Sequence, residues 1–170
     1  IIAGAPSRNG SGSGKHLFNS AYLLSKGKIL AVRHKSLLPA YDIFDEGRYF
    51  EPHTVFETVE WNGTRIALTI CEDLWNVTEH PLYPFCPMDK LMEQKPDIMI
   101  NISASPFDHL HARQRMDILK ENARRYNLPL FYANQTGAQT EVIFDGGSAA
   151  LCAGGKVFDE MNYFKEEVRV

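Results

Sequence analysis

The chain has 170 residues, 44% of them apolar and 23% charged, a length and balance that suit one globular domain with its own core and exclude disorder, collagen-like repeats and coiled coil. A net charge of −3 from 18 basic and 21 acidic residues leaves no surplus for gripping a polyphosphate backbone, which argues against nucleic acid as a partner. No apolar run approaches the ~18 residues of a membrane span, and Cys71, Cys86 and Cys152 are too few and too irregularly spaced for a disulfide framework, so a soluble cytoplasmic protein with no membrane partner is expected.

In chain order, Ile1 to Ala5 reads as an interrupted strand and not as a signal peptide, which implies that part of the fold lies upstream. Gly10 to Gly14 reads as a mobile loop. Alternating segments Leu17 to Leu24 and Lys28 to His34, joined by Ser25-Lys26-Gly27, predict a hairpin; Val55 to Trp61 and Arg65 to Ile70 predict a second around Asn62-Gly63. Met88 to Lys95 predicts a short helix. Asp97 to Ile102 and Leu130 to Asn134 are short, almost wholly apolar and rich in Ile, Phe and Tyr, as strands covered on both faces are. Between them Ala112, Met116, Leu119, Ala123 and Tyr126 form one apolar helical stripe. Arg124 and Arg125 complement the helix dipole in its last turn, and Asn127 and Pro129 stop it. Ala149 to Phe158 predicts a closing hairpin through Gly154-Gly155. Hairpins mixed with strand-helix-strand units predict a layered α/β or α+β domain, whose ligand sites gather at the carboxyl ends of strands.

Two such ends are polar and reactive: Cys71-Glu72-Asp73-Leu74-Trp75 and Ser103-Ala104-Ser105-Pro106. Cys71 at a strand-to-turn corner fits either a thiol exposed to a cleft or a small buried hydrophobe. Adjacent Glu72 and Asp73 would raise its pKa, so a nucleophilic role needs a compensating cation. Lys35, where the Lys28 to His34 strand meets a loop, fits that need, although spacing does not separate it from a solvated surface lysine. Tyr41 to Phe50 packs four aromatics among three acids and one arginine, as either a pocket-lining loop or a charged loop with core anchors. Gly10 to Gly14 lacks Walker spacing, and Gly146-Gly147-Ser148 misses the last glycine of a serine-hydrolase elbow. His109 and His111 lack the further ligands of a metal site.

Taken together, His34-Lys35-Ser36-Leu37-Leu38-Pro39-Ala40-Tyr41-Asp42-Ile43-Phe44-Asp45-Glu46-Gly47-Arg48-Tyr49-Phe50 and Thr69-Ile70-Cys71-Glu72-Asp73-Leu74-Trp75 resemble the nitrilase superfamily. More narrowly they are similar to the glutamine amidohydrolase domains of glutamine-dependent NAD synthetases, as are Asn101 to Pro106, Asn134 to Gly137 and Phe144 to Ser148, in that order. The resemblance runs the length of the chain and implies an αββα sandwich of four layers, incomplete at its N-terminus. In that picture residues 1–170 are the C-terminal part of a carbon-nitrogen hydrolase (glutaminase) domain, without the synthetase domain. It implies Cys71 as nucleophile, Lys35 as catalytic lysine and Glu46 as a supporting acid, the family's general-base Glu lying upstream of Ile1. It further implies that Tyr41, Phe44, Glu72, Ser103 and Ser105 hold glutamine. Arg115 either joins them or is a helix-surface arginine.

The implied reaction releases ammonia from glutamine through a thioester, for amidation of deamido-NAD to NAD by the linked synthetase domain. This domain itself needs no cofactor; ATP and Mg belong to the synthetase domain. The implied partners are glutamine, that domain and further copies in a homo-oligomer. A stand-alone nitrilase-like amidase or carbamoylase is the first alternative, and a non-catalytic interaction module of the same fold is the second.

Overall fold

The structure, a computed structural model, describes residues 1–78 and 81–170. Strands β1 (Ile2–Arg8), β2 (Leu17–Ser25) and β3 (Lys28–His34) form an antiparallel sheet in that order. Lys26 and Gly27, at φ 49° and 72°, make the left-handed two-residue turn that the β2–β3 hairpin needs. β4 (Val59–Trp61) and β5 (Thr64–Ile70) repeat the device at Asn62 and Gly63, φ 51° and 77°. The strand expected from Val55 begins only at Val59. The backbone oxygens of 56–58 instead bond Gln94 Nε2 (2.6 Å), Arg33 Nε (2.8 Å) and Arg33 Nη2 (2.7 Å), which replaces a strand partner.

From β5 the chain passes through α1 (Pro87–Met92) to β6 (Ile98–Ser103), then α2 (His111–Tyr126) and β7 (Leu130–Asn134). β5, β6 and β7 are parallel. A small hairpin, β8 (Thr136–Gln139) and β9 (Val142–Asp145), precedes β10 (Ala149–Leu151) and β11 (Val157–Glu160), which close a second sheet of order β11-β10-β7-β6-β5-β4. α1 ends before the expected Lys95, and α2 ends on Asn127 in the left-handed conformation, φ 51°.

The two sheets pack face to face through Ala21 and Leu23 against Val59, Ile66, Leu68 and Ile70. On the outer face of the larger sheet, Ala67, Met99, Leu130 and Leu151 meet Met88 and Leu91 of α1 and Leu119 and Ala123 of α2. β6 is covered on both faces, as its sequence led one to expect, and so is β5 beyond Arg65; β7 is not, because Phe131 on its other face is 47% exposed. These are three of the four layers of the αββα sandwich: among the described residues both α-helices lie on the larger sheet. The buried face of α2 also carries Arg115 and Asn122, and Asn122 Nδ2 donates to Leu74 O at 2.9 Å, tying the helix to the turn after Cys71.

Candidate active site

β5 ends at Ile70, and the chain turns at once into a short 3-10 segment, Cys71–Leu74. Cys71 itself has φ 45°, a left-handed conformation costly for a side chain with a Cβ and characteristic of corners that present a reactive group. The corner is held by Asp73, buried, whose carboxylate accepts from Ile70 N (3.1 Å), Ser36 N (3.0 Å) and Leu37 N (2.9 Å). One carboxylate therefore fixes both the turn carrying Cys71 and the segment that follows Lys35. Burial pushes the Asp73 carboxyl up to about 6, against the pull of these backbone donors and of Lys35.

Lys35 leaves β3 with its backbone N–H on Asn19 O (2.8 Å) and its carbonyl on His53 N (3.0 Å). Its side chain is 1% exposed, and Nζ donates to Glu46 Oε1 at 2.5 Å; Glu46 also accepts from Asn19 Nδ2 at 3.3 Å. Burial pushes the Cys71 thiol up and the Lys35 ammonium pulls it down, while Glu72 and Glu46 add to the burial effect.

Cys71, Lys35, Glu46, Phe44 and Ser103 line one cavity of about 530 Å3 by the carboxyl ends of β3, β5, β6 and β7, together with Asn19, Asn134 and Gln135. The structure thus brings together five of the residues singled out in the sequence. Tyr41, Glu72, Ser105 and Arg115 do not line it. Glu72 is buried and accepts from Tyr41 Oη at 3.0 and 2.9 Å and from Tyr83 Oη at 3.3 Å. Burial pushes its carboxyl up, opposed by the Tyr41 hydrogen bond, Lys35 and Tyr83. Ser105 receives Arg115 Nη1 at 3.5 Å and lies 3.1 Å from His111 Nε2.

Arg115 is no surface residue: at 2% exposure it pairs with Asp145 at 2.8 Å and donates to Gly146 O at 3.3 Å. Asn134, a cavity residue, shares both of those acceptors and takes Ser105 N on its Oδ1 at 2.9 Å. A Cβ at Gly146 would collide with Thr136 Oγ1, so glycine is needed to aim that carbonyl.

The sequence reading assigned Tyr83 no role in the site, assigned Asn134 and Asp145 none beyond their place in family-like segments, and assigned Asp73 only that of a charge beside Cys71. The only local signal was for Asp73, an acid three residues after a strand end, where carboxylates bind free backbone N–H groups. All three cysteines are free. Among the described residues no group of three His, Cys, Asp or Glu side chains is placed to hold a metal ion, and no helix is long and apolar enough to cross a membrane.

Residues 1–170 match the model of the carbon-nitrogen hydrolase family. The glutamine-dependent NAD(+) synthetase of Synechocystis sp. is 39% identical over 157 residues, 91% of this chain and 28% of that protein. The corresponding protein of Thermotoga maritima is 35% identical over 156 residues, 92% of this chain and 26% of its own length. Among solved structures, the glutamine-dependent NAD+ synthetase of Acinetobacter baumannii in complex with ADP superposes with a TM-score of 0.85 at 29% identity, covering 98% of this chain and 30% of that one. A carbon-nitrogen hydrolase from Helicobacter pylori G27 superposes at 0.80 and 25% identity, over 97% and 59% of the two chains. The chain spans less than a third of the length of these synthetases. With the family model matched from end to end, the chain belongs to the carbon-nitrogen hydrolases.

Proposed function

We propose that this chain carries the glutamine-hydrolysing site of a glutamine-dependent NAD synthetase. The observation that supports it most directly is the juxtaposition of a corner cysteine, Cys71 at φ 45°, with a buried lysine on the wall of one cavity. A primary carboxamide is a poor electrophile, so its hydrolysis calls for a thiolate and for donors aimed at the developing oxyanion. In this reading the Cys71 sulfur attacks the side-chain carbonyl of glutamine, and the carbonyl oxygen takes up the negative charge. Collapse of the tetrahedral adduct expels ammonia, with a proton delivered to the nitrogen, and leaves a thioester; water then attacks the thioester carbon and releases glutamate and the thiol.

Lys35 serves as the cation that favours the thiolate and stabilises the oxyanion. Glu46, its Oε1 engaged by that ammonium, orients Lys35; the base for the proton transfers is the glutamate that the family resemblance implies upstream of Ile1. Phe44 and Ser103 contact the substrate in the cavity. Glu72, held by two tyrosine hydroxyls, supplies negative charge toward the α-ammonium; Ser105 and Arg115 act by building the wall around Asn134. The ammonia then amidates deamido-NAD in a linked synthetase domain, where ATP and Mg2+ belong, and no step assigned to residues 1–170 runs through them.

In the full-length protein Cys71→Ala is expected to abolish NAD formation from glutamine while sparing formation from ammonium. Glutamine-driven synthesis that survives in this variant would remove Cys71 from the reaction. Hydrolysis of other amides faster than glutamine would favour a stand-alone amidase.

A further inference from the structure

Four buried side-chain polar atoms among the described residues have no hydrogen-bond partner, Asn101 Oδ1, Ser103 Oγ, Asn122 Oδ1 and Tyr132 Oη. Three of them stand on β6 and β7, the two strands beyond Cys71. Orphaned buried polar groups destabilise a fold, and they cluster where something other than stability is served. The register accounts for the grouping. Thr69 pairs with Asn101 and Asn101 with Tyr132 across β5, β6 and β7, and Ile70 pairs with Ile102. Residues two apart share a face, so Asn101, Ser103 and Tyr132 project to the side of α2, while Cys71, just beyond the end of β5, lines the same cavity as Ser103.

Thr69 is satisfied, taking Asn101 Nδ2 at 2.9 Å and donating to Ile100 O at 3.3 Å. Ser105, the other hydroxyl beside Tyr132, is engaged with His111 and Arg115. Ser103 is left as the acceptor for the phenol, and the Ser103 hydroxyl in turn favours the charged form of Cys71. Tyr132 is 4% exposed, and burial first, then the nearby Cys71, holds its phenol far above the ordinary value, so it remains a protonated donor.

We propose that Tyr132 is a positioning residue for Cys71: its hydroxyl donates to Ser103 Oγ and thereby turns the Ser103 hydrogen onto the Cys71 sulfur when that sulfur carries negative charge. A thiolate accepts the Ser103 hydrogen more strongly than a neutral thiol does, so the pair favours the charged state. The relay rests on the reading of Cys71 as a nucleophile. It adds to a field in which Lys35 at the end of β3 favours the thiolate, while Glu46, Glu72 after the corner and Tyr41 from the facing loop are the other titratable groups that act on it.

The test is the pH dependence of Cys71 alkylation by iodoacetamide in the full-length protein, followed by peptide mass. Tyr132→Phe removes one oxygen and keeps the ring; the alkylation midpoint is expected to rise by about half a pH unit to one unit, with the thermal midpoint held or raised. Ser103→Ala should shift it at least as far, Ser103→Thr should restore it, and adding Tyr132→Phe to Ser103→Ala should shift it no further. An unmoved midpoint in Tyr132→Phe, additive shifts in the double variant, or equal midpoints for Ser103→Ala and Ser103→Thr would each overturn the relay; the serine pair decides if Tyr132→Phe does not fold. Iodoacetamide reads the sulfur without glutamine. A Tyr132-dependent midpoint in a protein that ignores glutamine would refute the substrate and keep the relay, and Cys71-dependent glutamine hydrolysis with an indifferent midpoint would do the reverse.

Discussion

Replacing Arg115 with methionine tests whether this arginine builds the cavity wall or contacts substrate. The side chain is 2% exposed and its partner Asp145 is 1% exposed, 2.8 Å away. Methionine fills a similar volume but leaves the Asp145 carboxylate with Asn134 Nδ2 at 3.4 Å as its remaining side-chain donor. Stranding a buried charge in this way costs about 3–5 kcal/mol. That is a large part of the ~5–15 kcal/mol by which a domain is stable. At about 2–4 °C per kcal/mol for a chain of this size, the thermal midpoint should fall by roughly 6–20 °C. The double variant Arg115→Met/Asp145→Leu removes both charges and should recover most of the loss. Urea and thermal unfolding followed by circular dichroism at neutral pH measure both. A single variant within about 1 kcal/mol of wild type, or a double variant no better than the single one, would refute the structural role. Because Asp145 and Gly146 also hold Asn134, the single variant should raise the KM for glutamine as well; an increase in KM with unchanged stability would instead return Arg115 to direct substrate contact.

Two further outcomes follow from the electrostatics. Lys35→Met removes the ammonium facing Glu46 and Cys71; glutamine hydrolysis should drop by roughly 10²–10³-fold, as for loss of one oxyanion donor, and the Cys71 alkylation midpoint should rise, whereas near-wild-type turnover would exclude the lysine from the chemistry. His34, 2.7 Å from Ser20 Oγ and stacked 4.4 Å from Phe18, is pushed down to about 4, first by burial and then by His53 and Arg33. Between about pH 6.5 and 4 the unfolded chain binds a proton there that the native chain refuses, so stability is complete above pH 6.5 and declines as pH falls through that window. The urea midpoint should therefore fall less steeply between pH 7 and 5 in His34→Gln than in wild type; since His53 is lowered too, the slope is reduced without vanishing, and parallel slopes would count against the assignment.

What could be read from the sequence was what is decided locally. Asn62-Gly63, and Gly27 after Lys26, specify their turns through left-handed backbone that Gly and Asn adopt readily, and the isoleucines of β6 announce a strand covered on both faces, although the same reading fails at β7, where Phe131 is exposed. Elements decided by distant partners were not legible. Residues 55–58 alternate as a strand does, but Gln94 and Arg33 take their backbone groups. The β8–β9 hairpin turns at Thr140-Glu141 with φ 56° at Thr140, a choice without the usual Asn or Gly signal. On α2 a count of apolar positions found Met116, Leu119 and Ala123 and passed over Arg115 and Asn122, which are buried because each finds polar partners outside the helix.

The candidate site shows the same division. Cys71 and Lys35 carried a chemical signal, yet 36 positions separate them and no spacing rule joins them. They meet because β3 and β5 lie in facing sheets and because the Asp73 carboxylate accepts N–H groups from both chain segments. An acid beside a cysteine reads in the sequence as a charge that disfavours the thiolate. In the fold that acid is turned away into backbone amides, and its principal effect is geometric: it holds the corner that presents the sulfur to the cavity where the lysine lies.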